Sequence, residues 1–236
     1  MAALPYADIL SITGPGPILI LAPHPDDESL GCGGLIAQAH AAGIEVHVAI
    51  LTDGAKSHPK SADYPAVRLI ALREAEAEAA VATLGLPAGR VTFMRYPDAA
   101  APRYGHGLRE AGEQLATLVR RGKIGTIFAS WRHDPHCDHL AAHRIASLAC
   151  RIGGLRHISY AVWGWTLDPA LRLPGTRIDG WRLDVTTSLS MKRRAIACHR
   201  SQLPGLITDD PGGFTIPDAL RDLCDRPFES YLRLRG

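Results

Sequence analysis

The sequence predicts an α/β fold: one domain built on a doubly wound, mostly parallel sheet with helices on both faces. Strand-like and helix-like segments alternate along the chain, which is the pattern of right-handed crossovers between parallel strands. Two of the strand-like runs end abruptly in clusters of histidine and carboxylate, where strands of such sheets bind ligands. The 236 residues, 46% of them hydrophobic and 21% charged, are enough to bury one substantial core.

The strand predictions rest on short apolar or alternating runs that are bounded by turn residues. They cover residues 17–22, 45–51, 90–96, 124–129, 156–162 and 181–185. The helix predictions rest on longer runs that stop at signals such as Gly43 and Gly85. They cover residues 30–42, 67–84, 107–121, 139–151 and 189–199, with a short helix after residue 217. The expected sheet is Rossmann-like, with strand order 3-2-1-4-5 and an additional C-terminal strand.

The polar cluster after the first strand is the most informative feature. The apolar run that ends at Ala22 leads directly into His-Pro-Asp-Asp-Glu at residues 24–28. Carboxylates crowded in this way repel one another unless a cation compensates them. A second cluster, residues 133–139, follows the fourth strand and contains three histidines and two aspartates. Because strands 1 and 4 are neighbours in the expected order, the two clusters are predicted to meet and form a metal site.

The spacing within each cluster suits a metal. His24 and Asp27 are three residues apart, as are His136 and His139, and each pair lies where the chain turns into a helix. Two imidazoles and one carboxylate with an open fourth position are typical of catalytic zinc. Such a metal polarises carbonyls and activates water, and a nearby free carboxylate can move the proton.

The two motifs together, residues 24–28 and 136–139, resemble those of the PIG-L/LmbE family of zinc-dependent N-deacetylases, which act on amino-sugar compounds. The likeness extends over about residues 17–203 and includes the segments 52–54 and 96–98. The predicted organisation is therefore one domain, 1–236, in which residues 204–236 form a C-terminal extension that packs on the core.

The resemblance implies a role for each of eight residues. His24, Asp27 and His139 bind one zinc ion per chain, or another divalent metal; Asp26 is the general base and acid; His136 stabilises the oxyanion; Asp138 orients His136; Arg73 and Asp98 contact sugar hydroxyls. The segment departs from the family at residue 137, which is cysteine where proline is frequent. The roles of Cys137, His133 and His143 therefore stay open.

We expect a hydrolase that removes an N-acetyl group from an amino-sugar-containing small molecule. A metal-dependent phosphoesterase and a catalytically silent, metal-stabilised binding protein remain as alternatives. Specificity is expected in the loops 53–65, 97–106 and 163–180, where tryptophans either stack on a sugar or belong to the core.

The composition indicates which binding partners and which cellular compartment to expect. The formal charge of +2 does not suggest a nucleic-acid or membrane partner, and no apolar run is long enough to span a bilayer. The five cysteines are dispersed and form no CxxC pair, which predicts a reduced, cytoplasmic protein. Whether the chain forms a homo-oligomer is open.

Overall fold

A single sheet organises the protein, for which a computed structural model describes residues 1, 3–168, 170–171 and 179–233. Its strands are β1 (Ile18–Ala22), β2 (Val46–Thr52), β3 (Val91–Tyr96), β4 (Thr126–Ser130), β5 (Arg156–Tyr160), β6 (Gly180–Asp184) and β7 (Phe228–Arg233). They are arranged in the order β3-β2-β1-β4-β5-β7-β6. The strands β1 to β5 pair in parallel, whereas β7 runs antiparallel to both β5 and β6.

Helices cover both faces of this sheet. They are α1 (Ile9–Thr13), α2 (Asp27–Ala41), α3 (Ala66–Thr83), α4 (Gly105–Arg121), α5 (Cys137–Gly153), α6 (Leu189–Cys198) and α7 (Asp218–Cys224). Alternate residues of β1 belong to the hydrophobic cores on the two faces of the sheet. Ile18 and Ile20 pack on the face that α2 covers, and Leu19 packs on the face that α4 and α5 cover. Every residue of β1 and β4 is buried, as expected for parallel strands covered on both faces.

The predicted fold class and the order of the first five strands are confirmed. The strand β7 was not among the strands that the sequence predicted. The segment after residue 203, expected to pack on the core as an extension, supplies this internal strand. The charged residue Glu229 interrupts the apolar pattern that would have predicted β7. Its burial is tolerated because its carboxylate accepts a 2.7 Å hydrogen bond from Lys192 of α6. Among the described helices, none has the length and apolar character needed to cross a membrane.

Candidate active site

The loops that follow β1 and β4 bring the two histidine clusters together. The ring centroids of His24 and His139 are 5.5 Å apart, and those of His24 and His136 are 4.7 Å apart. One carboxylate oxygen, Oδ2 of Asp27, lies 3.1 Å from Nδ1 of His24 and 3.2 Å from Nε2 of His139. The three residues expected to bind a metal therefore surround one point.

The donor set at this point fits a divalent cation. His139 is fully buried, and its Nε2 has no hydrogen-bond partner among the described residues although it faces Asp27. Burial disfavours a charged imidazole, but Asp27 and Asp134 outweigh it and raise the pKa of His139 to about 9. The surroundings thus favour positive charge here, and two imidazoles with one carboxylate match the ligands of catalytic zinc.

Asp134 is a functional candidate that sequence reasoning missed. Its Oδ2 lies 3.0 Å from Nδ1 of His139 and accepts a 2.9 Å hydrogen bond from the backbone amide of Val162. A carboxylate behind a histidine ligand fixes the ring so that the other nitrogen faces the metal. The signal was its position in the motif, five residues before His139.

Asp26 lies beside this point in a strained conformation. Its φ of 141° is in the region that non-glycine residues rarely adopt, and such strain is concentrated at functional sites. Burial is the main cause that raises the pKa of Asp26 to about 7, with Arg73 opposing it through a 3.2 Å ion pair. A carboxyl that titrates near neutral pH is suited to take and return a proton.

A buried pair beneath Asp26 supports that conformation. Glu28 is fully buried, and its Oε2 accepts a 3.0 Å hydrogen bond from the backbone amide of Asp26. The other oxygen, Oε1, lies 2.9 Å from Nε2 of His199 and accepts a 2.6 Å hydrogen bond from the Ser29 hydroxyl. The expected metal-binding loop is therefore held by contacts from α6's C-terminal end.

His136 and Asp138 contact each other differently from what the resemblance implies. The backbone amide of Asp138 donates to Nδ1 of His136 at 3.2 Å, so the ring proton of a neutral His136 is on Nε2. Burial, followed by the charges of His24 and His139, lowers the pKa of His136 and favours that neutral form. The Asp138 carboxylate instead lies 3.3 Å from Nε2 of His24 and accepts from the amides of Ala99 and Ala101.

Arg73 and Asp98 both line the site, and both are already engaged by protein groups. Arg73 is buried and donates through Nη1 to the Gly54 carbonyl and through Nη2 to the Pro25 carbonyl, each at 2.8 Å. Asp98 accepts from the Lys56 amide at 2.9 Å and lies 3.5 Å from His24. Arg73 thus fixes the position of Asp26 in addition to any contact with a ligand.

The residues whose roles the sequence left open fall into two groups, one at the site and one outside it. Cys137 lies beside His136 and Asp138, but burial and Asp138 raise the pKa of its thiol, which disfavours a thiolate ligand. His143 turns away, with Nδ1 3.2 Å from the Ser130 carbonyl and its ring 5.0 Å from that of His157. Neither His143 nor His133 lines the cavity at the site.

That cavity has a volume of about 260 Å³ and opens above the converging side chains. Each of the three expected specificity loops contributes to it, through Lys56, Asp98 and Trp163 respectively. Residue 169 and residues 172–178 of the third loop lie outside the described residues. The cavity is also lined by Phe214, Ile216 and Leu220, from a segment that the sequence did not single out.

Comparison with known proteins shows which family the chain belongs to. The family described as PIG-L, GlcNAc-PI de-N-acetylase, matches residues 19–150, more than half of the chain. The chain belongs to the PIG-L family. The predicted enzyme class, an N-deacetylase hydrolase, is thereby confirmed.

Individual relatives have deacetylase names. The diacetylchitobiose deacetylase of Thermococcus kodakarensis is 27% identical over 79% of this chain and 70% of that protein. The 1D-myo-inositol 2-acetamido-2-deoxy-alpha-D-glucopyranoside deacetylase of Nocardia farcinica is also 27% identical, over 95% of this chain and 92% of that protein.

Solved structures share the fold. An N,N'-diacetylchitobiose deacetylase from Pyrococcus horikoshii has a TM-score of 0.67 at 23% identity, covering 91% of this chain and 82% of that one. A 4-carboxy-2-hydroxymuconate hydratase from Pseudomonas putida has a TM-score of 0.57 at 23% identity, with 78% of each chain covered. Because one fold carries both activities, the assignment of chemistry depends on the site residues.

Proposed function

We propose that the protein is a zinc-dependent hydrolase that removes the N-acetyl group from a small molecule containing N-acetylglucosamine or a related amino sugar. The products would be the free amine and acetate. The observation that carries the proposal is the convergence of His24, Asp27 and His139 on one point, with the strained Asp26 beside them. The two deacetylase relatives, whose names give different acetamido sugars, support the substrate class rather than one compound.

His24, Asp27 and His139 would hold the metal, and Asp134 would orient His139. When bound there, zinc supplies Lewis acidity to an amide carbonyl and to water. The burial of Asp27 and His139 restricts solvent at this point, which strengthens electrostatic interactions with a substrate.

During hydrolysis, one residue would transfer a proton and another would stabilise the negative charge of the intermediate. Asp26 would accept a proton from the attacking water and deliver it to the departing amine nitrogen, a transfer suited to a pKa of about 7. His136 would donate its Nε2 proton as a hydrogen bond to the oxyanion of the tetrahedral intermediate. Asp138 would support both histidines, through its amide to His136 and through its carboxylate to His24.

Arg73 and Asp98 are proposed to bind the sugar, with Asp98 the better placed of the two. Asp98 lines the cavity, where one of its oxygens accepts from the Lys56 amide and the other lies 3.5 Å from Nε2 of His24, whereas the guanidinium of Arg73 already donates to Asp26 and to two carbonyls. The five cysteines are all free, which supports a reducing, cytoplasmic location.

An assay of amine release tests the proposal. The purified chain would be offered N-acetylglucosamine, diacetylchitobiose and an acetamido-glucosyl inositol, each after chelator treatment and after zinc is restored. We expect zinc-dependent release of amine and acetate in equal amounts from at least one of them, and no release by Asp26→Asn. Hydrolysis of a phosphate ester such as p-nitrophenyl phosphate without any amine release would favour the phosphoesterase alternative instead.

A further inference from the structure

A groove lined by arginine side chains runs along α5, away from the cavity at the candidate active site. It consists of two adjoining cavities, of about 840 and 720 Å³, which share the side chains of Ser147 and Arg151. None of its described lining residues also lines the cavity at the candidate active site. We call it the arginine groove, after the arginines among those residues: Arg132, Arg144, Arg151, Arg156 and Arg233.

The spacing of residues in α5 directs one stripe of side chains into the groove. Successive members of this stripe are three or four residues apart and therefore follow one another along the same face of the helix. At 1.5 Å per residue, Arg144 and Arg151 are separated by about 10 Å along the helix axis. The groove is thus an elongated surface rather than a pocket around one charge. The members of the stripe are Leu140, Arg144, Ser147 and Arg151.

Positive charge in the groove is not balanced locally. The chain as a whole is nearly balanced, with 26 Lys and Arg against 24 Asp and Glu. In the described part of the chain, however, no aspartate or glutamate lines either cavity. Nε of Arg233 lies 3.8 Å from Oδ2 of Asp179, whereas Arg144, Arg151 and Arg156 form no ion pair with any described carboxylate. The groove therefore has a local excess of positive charge, which attracts anions.

Two of the guanidinium groups are held in position by the protein. Arg144 donates through Nη1 to the Arg103 carbonyl at 3.0 Å. The guanidinium carbon of Arg233 lies 4.2 Å from the centroid of the Trp181 ring, in a cation–π contact. Because these groups are already ordered, less conformational freedom is lost when an anion binds to them.

Two of the arginines repel each other at one end of the groove. Burial, followed by the positive charge of Arg233, lowers the pKa of Arg156. Burial also lowers the pKa of the histidines that line the groove, His133, His143 and His157, so they add no charge at neutral pH. An anion bound beside the arginines would reduce their repulsion and would accept charge-assisted hydrogen bonds from them.

We propose that the arginine groove binds an anion that carries two or more phosphate or carboxylate groups. The planar guanidinium group of arginine donates paired hydrogen bonds that match the oxygens of both groups. More than one charged group is expected on the ligand, because the arginines are distributed along the groove rather than gathered at one point. This inference goes beyond the proposed deacetylase function and does not depend on it.

Calorimetric titration of the purified chain tests the inference. The probes are orthophosphate, linear triphosphate and citrate. We expect triphosphate or citrate to bind about tenfold or more tightly than orthophosphate, since one additional hydrogen bond to a charged group has an effect of this size. The probe that binds more tightly identifies the anionic group that the groove prefers.

A pair of variants assigns the binding to the groove. Arg151→Gln removes the guanidinium group that both cavities share and should weaken the binding of the preferred probe about tenfold. Arg121→Gln is the matched control, because Arg121 is an exposed arginine of α4 that lines neither cavity. Any binding of the probe at the candidate active site is common to both variants, so a difference between them arises in the groove.

Arg156→Gln is a second test, at a residue that lines the larger cavity, and it should also weaken binding about tenfold. Circular dichroism would verify that each variant folds. The inference would be overturned if neither triphosphate nor citrate bound more tightly than orthophosphate. It would equally be overturned if Arg151→Gln and Arg156→Gln bound the preferred probe with the affinity of Arg121→Gln.

Discussion

Two histidines one turn apart on α5 experience opposite surroundings. Both His139 and His143 are buried, and both belong to the same helix. His139 faces Asp27 and Asp134, and its pKa is raised to about 9. His143 faces the Ser130 carbonyl and the ring of His157, and burial lowers its pKa to about 4.

The difference shows that neighbouring carboxylates, rather than the histidine or its helix, decide whether a site favours a cation. Burial acts against charge at both positions, and only the carboxylates of the loops after β1 and β4 reverse it. His157, which packs against His143, has a pKa lowered to about 3 by burial and by His143. The first turn of α5 is thus suited to a metal, whereas the next turn is suited to neutral imidazoles.

The largest expected effect comes from Asp26, the carboxylate that we propose as general base and not as a metal ligand. Asp26→Asn should lower kcat about 10²- to 10⁴-fold, the usual contribution of a general base, while the zinc content stays that of the unaltered protein. Steady-state kinetics and metal analysis of the same preparation check this. Asp218→Asn, at an exposed position, serves as the control. A kcat unchanged by Asp26→Asn would remove Asp26 from the mechanism.

A smaller effect is expected from Asp134, the carboxylate next to the proposed ligand His139. Asp134→Asn removes the negative charge that faces Nδ1 of His139 at 3.0 Å and should weaken zinc binding about 10- to 100-fold. Competition with a chromophoric chelator measures the affinity. His157→Gln, at a residue whose ring packs against His143 and not against His139, should leave the zinc affinity unchanged. Equal affinities for the two variants would mean that Asp134 does not tune the site.

The smallest effect concerns the stability contribution of His143, which has no carboxylate beside it. The folded-state pKa of His143 is about 4 and the unfolded value is about 6.5, so the unfolded chain binds the proton first as the pH falls. His143 therefore reduces stability progressively between about pH 6.5 and 4, by at most about 2 kcal/mol at pH 5. His143→Gln should narrow the difference in unfolding free energy between pH 7 and pH 5, measured with urea. A difference equal to that of the unaltered protein would contradict the assignment of His143 as a neutral buried group.

The sequence predicted those features that depend on local pattern and topology. The apolar runs and turn residues predict β1 and β4, and the order of a doubly wound sheet makes their ends neighbours. That argument predicted the meeting of His24 with His139, whose rings are 5.5 Å apart. The family motifs then supplied roles for individual residues, which geometry alone does not assign.

The features that the sequence did not predict depend on contacts between distant segments. Glu229 is charged and yet lies inside β7, because Lys192 pairs with it there. Phe214 and Ile216, which line the cavity, come from a loop rich in Gly, Pro and Asp, and their placement depends on hydrogen bonds such as that from the amide of Phe214 to the Ser57 carbonyl. No periodicity in the loop itself carries this information.

The zinc content of two single variants tests most directly the claim that carboxylates confine the metal to the first turn of α5. His139→Ala and His143→Ala each remove a buried imidazole from the same helix, and circular dichroism would verify that both variants fold. Plasma mass spectrometry should find one zinc ion per chain in the unaltered protein and in His143→Ala, and far less than one in His139→Ala. Zinc retained in full by His139→Ala, or lost from a folded His143→Ala, would contradict the account.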